Sequence, residues 1–206
     1  MIIGGVGGQG NVLASQILGE MLISQGYVIT IGETYGASQR GGAVMSHMRI
    51  SPKDQYSPLI PEGQCDLLVA LEPVEALRIL DRYGNPKILT LFNTRPIHPL
   101  DVISGNTLYP ELSQVIAKIV ELSRRACALN ATEIALEMGD SLFSNIIMLG
   151  ALCAIEVLPI HRQGFESVIQ DLLSSRPLDE NMKAFDHGGQ AVRELSGRSV
   201  IKTIRL

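Results

Sequence analysis

Apolar positions along the chain change rhythm repeatedly, and each change marks an element. Met1-Ile2-Ile3 opens as a short strand, and the glycine-rich stretch 4–10 follows as a loop. Leu13, Ala14, Ile17, Leu18, Met21 and Leu22 then recur at helical spacing, predicting a helix over 11–25 that Gly26 ends. The β-branched run 27–31 predicts a strand, and the polar, glycine-rich stretch 33–42 a second loop. A strand over 44–50 places Val44, Met48 and Ile50 on one face and His47 and Arg49 on the other. After a proline-rich loop over 51–63, residues 66–71 form an unbroken apolar run, the pattern of a parallel strand buried on both faces. Pro73, at a first-turn position, opens a helix to Tyr83, and Gly84-Asn85-Pro86 stops it. Residues 87–92 read as another buried strand.

The second half is predominantly helical. Leu112, Val115, Ile116, Ile119, Leu122 and Ala126 make one apolar stripe, and 127–130 reads as a last short strand. A short helix is expected over 132–138, with Asp140 as an N-cap for the segment beginning at Ser141. Residues 142–158 are apolar on nearly every side, so they belong to a core or an interface, and Asn145 within them requires internal hydrogen-bond partners. Phe165, Val168, Ile169, Leu172 and Leu173 mark a further amphipathic helix. Leu178, Met182, Phe185, Val192 and Leu195 mark another, which Gly188-Gly189 should weaken by about 1 kcal/mol per glycine. Alternating strands and helices predict a three-layer α/β/α fold with a mainly parallel, Rossmann-like sheet and a helical C-terminal half.

Composition narrows the function classes. The chain has 206 residues, 17 basic and 21 acidic, for a net charge of -4. With no Trp, 4% aromatic residues and no basic stripe it lacks the stacking and charge surfaces of a nucleic-acid binder. Only the last eleven residues are basic, through Arg198, Lys202 and Arg205. A mean hydropathy of +0.20 points to apolar surface reserved for a partner subunit. Cys65, Cys127 and Cys153 are dispersed and form no C-x-x-C, against an iron–sulfur or structural zinc site. Neither a signal peptide nor an apolar stretch of membrane-spanning length is apparent, so the expectation is a cytoplasmic protein with reduced thiols, without membrane contact.

Two loops carry the candidate chemistry. Gly5, Gly7 and Gly10 satisfy G-x-G-x-x-G, with Gly8 and Gln9 between. Such a turn lets backbone amides approach a phosphate at a helix N-terminus. Three readings of it stay open: a dinucleotide site with Glu33 as the ribose acid, another anion or cofactor edge, or a tight structural turn. The second loop, Gly32 to Gly42, contains Ser38, Gln39, Arg40, Gly41 and Gly42; its arginine is suited to gripping a carboxylate or phosphate with two hydrogen bonds. It should lie beside the first, because ligands of parallel sheets bind off the carboxyl ends of strands. Gly139-Asp140 begins like a thiamine diphosphate motif but lacks the asparagines that should follow. His47, His98, His161 and His187 have no metal-binding spacing, and His47 reads as a structural or surface histidine rather than a catalytic base.

Taken together, the two loops, the Ser46-to-Ser51 segment, the 66–72 run, Ala131 to Ala135 and Asn145 to Ala151 carry a specific resemblance. The chain resembles the gamma-domain family of 2-oxoacid:ferredoxin oxidoreductases, and within it the small (beta) subunits of indolepyruvate:ferredoxin oxidoreductases. The likeness covers about residues 1–190 as one domain, 1–195, with 196–206 as a tail outside it; the family's first strand is usually longer. The resemblance implies a subunit of an enzyme that oxidatively decarboxylates a 2-oxo acid to an acyl-CoA and reduces ferredoxin. It places thiamine diphosphate, magnesium and 4Fe–4S clusters on a large partner subunit, with none on this chain. Gly7, Gly8, Gln9, Gly10, Ser38, Gln39, Arg40, Gly41 and Gly42 are then expected to contact substrate, coenzyme A or the partner's cofactor. A gamma chain for pyruvate, 2-oxoglutarate or branched-chain oxo acids, a stand-alone NAD-binding protein and a non-catalytic assembly module are the alternatives. Whether the isolated chain forms a homodimer stays open.

Overall fold

Strands of the central sheet alternate their side chains between two separate cores. The computed structural model describes residues 1–35, 42–98, 100–106, 108–172 and 178–197. In chain order the elements are β1 (Ile2–Val6), α1 (Asn11–Ile23), β2 (Val28–Tyr35), β3 (Ala43–Ser51), β4 (Leu67–Ala70), α2 (Pro73–Tyr83), β5 (Leu89–Asn93) and α3 (Leu100–Ile103). There follow α4 (Leu112–Leu122), β6 (Arg125–Leu129), α5 (Ala131–Glu137), α6 (Ser144–Ala154), α7 (Arg162–Leu172) and α8 (Leu178–Gly197). The strands are ordered β2-β3-β1-β4-β5-β6. β1, β4, β5 and β6 pair in parallel, whereas β3 runs antiparallel to both of its neighbours.

Ile3, Val69, Leu91 and Cys127 face one core, built with α1, α5, α6, α7 and α8. Ile2, Leu68, Phe92 and Ala126 face the other, built with α2 and α4. That two-sided burial is why β4 and β5 are apolar without alternation, and it confirms the three-layer arrangement. Among the described residues no helix is long and apolar enough to cross a membrane.

Several boundaries differ from the sequence reading. The first strand is not a stub: it extends through Gly4, Gly5 and Val6, between β3 and β4. A Cβ on Gly4 would displace the end of the Ile79 side chain on α2. β2 runs on through Glu33, Thr34 and Tyr35, which pair with Ser46, Met45 and Val44 of β3. Ala126 belongs to β6 rather than to the stripe of α4. The 142–158 segment is helical only to Ala154, preceded by a single tight turn at Ser141–Phe143. Glu156, at φ 58°, makes the left-handed stop beyond its end, so no glycine signals the boundary. α8 continues through Gly188-Gly189, reaching Gly197. The tail's Arg198, Lys202 and Arg205 lie outside the described residues.

Candidate functional site

β1 ends at Val6 and delivers the first glycine loop to the carboxyl edge of the sheet. The loop is tied down on three sides. The Gly7 amide donates to the Gly42 carbonyl at 2.8 Å, which joins it to the start of the strand leaving the second loop. The Gln9 side chain accepts from the Val6 amide and donates to the Leu71 carbonyl, both at 2.7 Å, bridging the loop to the end of β4. The Asn145 amide donates to the Gly10 carbonyl at 3.3 Å from α6. Gly8 (φ 102°) and Gly10 (φ 80°) supply left-handed backbone, and Asn145 occupies the space a Cβ on Gly10 would need. Asn145 is thus the polar core anchor its position demanded.

A cleft of about 440 Å³ opens here. One wall is Gly7, Gly8 and Gln9; the other is Arg95, Pro96 and Ile97 from the segment after β5; Thr132, Ser141 and Ser144 close the side. A larger hollow, about 650 Å³, lies at the opposite end of the sheet beside Arg49, Tyr56 and Asp66. The smaller cleft is the candidate because it sits at the carboxyl ends of the parallel strands, where ligands of such sheets bind.

A buried polar network supports the second wall. Asn93, the last residue of β5, donates to the Leu71 carbonyl at 3.2 Å and to Thr132 Oγ1 at 2.8 Å. Glu72 caps α2 by accepting from the Glu75 amide at 2.8 Å, and its other oxygen accepts from the Ile97 amide at 3.4 Å and the Tyr109 hydroxyl. Burial, reinforced by that hydrogen bond, pushes the Tyr109 hydroxyl well above its ordinary pKa, so it stays protonated as a donor. Burial also raises the Glu75 carboxyl, against the pull of Arg78 at 2.6 Å.

The expected site residues divide accordingly. Gly7, Gly8 and Gln9 line the cleft, Gly10 stands behind them under Asn145, and Gly42 adjoins Gly7. Ser38, Gln39, Arg40 and Gly41 lie outside the described residues. Gln9 is the exception among the first group, since both ends of its amide are engaged within the fold. Arg95 and Glu72 escaped the sequence reading. The signal for Arg95 was available, since it comes directly after a buried parallel strand; Glu72 read only as a helix start. Glu33 lies on β2, with β3 interposed before β1, so it stands about 9.5 Å of sheet away from the strand that carries the glycine loop. A dinucleotide site needs its acid on the strand adjoining that one.

His47 is buried on the α2 side, accepting from the Ile60 amide at 3.3 Å and packed edge-on against Tyr83. Burial, with Arg82 nearby, lowers its pKa. It is structural, as its strand position suggested. Among the described residues no group of His, Cys, Asp or Glu is placed to hold a metal. Cys65 is buried in one core and Cys127 in the other, and burial raises both thiols, so these side chains do not fit an iron–sulfur cluster.

Residues 1–191 match the family described as pyruvate ferredoxin/flavodoxin oxidoreductase. The indolepyruvate oxidoreductase subunit IorB of Archaeoglobus fulgidus is 38% identical over 199 residues, 96% of this chain and 96% of the relative. Its counterpart in Pyrococcus horikoshii is 36% identical over 197 residues, 95% of this chain and 96% of the relative. Among solved structures, the gamma subunit of a keto/oxoacid ferredoxin oxidoreductase from Geobacter sulfurreducens superposes with a TM-score of 0.64 at 25% identity. That superposition covers 94% of this chain and 97% of the other.

Proposed function

This chain belongs to the pyruvate ferredoxin/flavodoxin oxidoreductase family, and from that membership we propose that it is the small subunit of a 2-oxoacid:ferredoxin oxidoreductase of the indolepyruvate type. In that reaction the oxo acid loses its carboxylate as carbon dioxide and the acyl carbon yields two electrons to ferredoxin. The acyl group passes to the sulfur of coenzyme A, whose thiol proton is released. Thiamine diphosphate, with its magnesium ion, supplies the centre that stabilises the decarboxylated carbanion. It and the 4Fe–4S clusters belong to the large partner subunit, in a cytoplasmic hetero-oligomer. This chain's part is to complete the pocket from one side. Gly7 holds the first loop against Gly42, and the backbone amides of Gly8 and Gly10 and the second loop, with Arg40 as its cation and Ser38, Gln39, Gly41 and Gly42 around it, face the substrate carboxylate or a coenzyme A phosphate.

The observation that carries this reading is the Gly7–Gly42 hydrogen bond. It joins Gly42, the last residue of the second glycine-rich segment, to Gly7 at the carboxyl edge, and Gly7 lines the cleft there. The displacement of Glu33 from β1 speaks against a stand-alone nicotinamide enzyme.

The test is reconstitution. Co-expressed with a large, thiamine- and cluster-carrying subunit, the complex should reduce ferredoxin in the presence of coenzyme A and indolepyruvate or another aryl pyruvate, and the isolated chain should not. Faster turnover with pyruvate, 2-oxoglutarate or a branched-chain oxo acid would reassign the substrate. Nicotinamide-linked turnover by the isolated chain would overturn the reading, and an Arg40→Ala complex with unaltered kinetics would remove Arg40 from the site.

A further inference from the structure

The dipeptide Leu71–Glu72, at the end of β4, fastens both walls of the cleft. The Leu71 carbonyl accepts from Gln9 on one wall and from Asn93 below the other. Glu72 acts on the second wall alone. It is 1% exposed, an unfavourable place for a carboxylate unless its oxygens are satisfied. One oxygen caps α2, which a serine or asparagine would do as well. The other reaches across to the Ile97 amide and the Tyr109 hydroxyl. That second oxygen is what a carboxylate adds, and it acts on the segment that carries Arg95. Asn93 grips the same segment from its other end, accepting from the Arg95 amide at 3.4 Å. Arg95 itself lines the cleft together with Gly7 and Gly8 and makes no ion pair among the described residues. Gly8 faces open space there.

We propose that Arg95 binds an oxyanion of the reactants in this cleft, and that Glu72 is a positioning residue that sets it there by holding Ile97 and Tyr109. The inference rests on the reading of the chain as a subunit of a 2-oxoacid oxidoreductase. A guanidinium in a cleft that a glycine loop also lines suits phosphate or carboxylate oxygens. Coenzyme A offers the first and the oxo acid the second, and steady-state kinetics separate them.

In the reconstituted complex, Arg95→Ala should raise the KM for one reactant about tenfold or more with little change in kcat. A rise for coenzyme A identifies a phosphate, and a rise for the oxo acid identifies the carboxylate. Arg95→Lys should recover part of the loss. Glu72→Gln and Tyr109→Phe should raise the same KM by smaller factors, whereas Arg82→Ala, at the far end of α2, should leave both constants unchanged. Unaltered KM values in Arg95→Ala, or equal rises in both, overturn the proposal. A wild-type complex inactive on every 2-oxo acid would instead refute the functional reading. The site is then judged by thermal unfolding of the full chain with inorganic phosphate. An upward shift in wild type that is lost in Arg95→Ala keeps the oxyanion site; no shift, or an equal one in both proteins, removes it.

Discussion

Gly150 of α6 and Gly188 of α8 meet at a crossing too close for a side chain on either helix. A Cβ on Gly150 would collide with the Phe185 carbonyl, and one on Gly188 with the Ile147 carbonyl. Alanine at either position forces the helices apart, so each variant should lose about 2–3 kcal/mol, read as a lower urea midpoint with an unchanged slope. Gly189 is the control, because its Cβ would press only on the end of the Arg193 side chain at 3.3 Å, which can move, and would stand at ordinary contact distance, 3.6 Å, from the Gly150 carbonyl. Gly189→Ala should be neutral or stabilising by up to about 1 kcal/mol, following helix propensity. Equal losses at 188 and 189 would deny the crossing its role.

That contrast shows what was legible in the chain. Periodicity placed α1, α2, α4, β4 and β5 correctly because each reports its own burial: a one-sided stripe for a helix on a sheet, an unbroken run for a strand covered twice. Gly188-Gly189 misled because propensity concerns the isolated helix, while the reason for Gly188 lies on α6. Gly4, Gly5 and Val6 read as loop for the same reason, since their β conformation is imposed by β3 and β4. In the candidate site the glycine loops were visible as local sequence. Glu72 was not, because the Ile97 amide and Tyr109 that define its role are 25 and 37 residues distant.

The end of α6 stores strain at Glu156, whose left-handed backbone costs a residue with a Cβ about 1–2 kcal/mol. Glu156 is exposed. Glu156→Gly should therefore stabilise the chain by about 0.5–1 kcal/mol after the added freedom of the unfolded chain is subtracted. A melting temperature equal to or below wild type would show that the Glu156 side chain makes up the difference.

His47 should give the chain an acid limb. Its folded pKa lies below the ordinary 6.5 because burial disfavours the imidazolium. The unfolded chain therefore binds a proton that the folded chain refuses, and stability falls as pH drops below about 6.5 until the folded group also titrates. Glu75 acts with the opposite sign at lower pH: its raised carboxyl pKa makes the folded chain the better proton acceptor until pH falls through the ordinary 4.5. Urea unfolding from pH 7.5 to 5.5 reads the His47 effect together with that of the buried N-terminal ammonium, whose lowered pKa acts with the same sign, so the His47 share is the difference from a variant. His47→Asn, which retains an acceptor for the Ile60 amide, should flatten that slope; an identical slope in the variant would assign the effect elsewhere.

Gln9 discriminates between a loop built to be filled and a loop built to be rigid. Its oxygen holds the Val6 amide and its nitrogen the Leu71 carbonyl, so the side chain is a strut across the base of the cleft. Gln9→Glu keeps the acceptor and the shape but sets a carboxylate against the Leu71 carbonyl, replacing one hydrogen bond by a repulsion. The isolated chain should lose about 1–3 kcal/mol of stability with no ligand or partner present. A residue used only to contact substrate would show no such loss, because nothing it binds is there. If Gln9→Glu leaves the isolated chain's unfolding curve in place and alters only the kinetics of the complex, the strut assignment fails and Gln9 returns to the contact residues with Gly7 and Gly8.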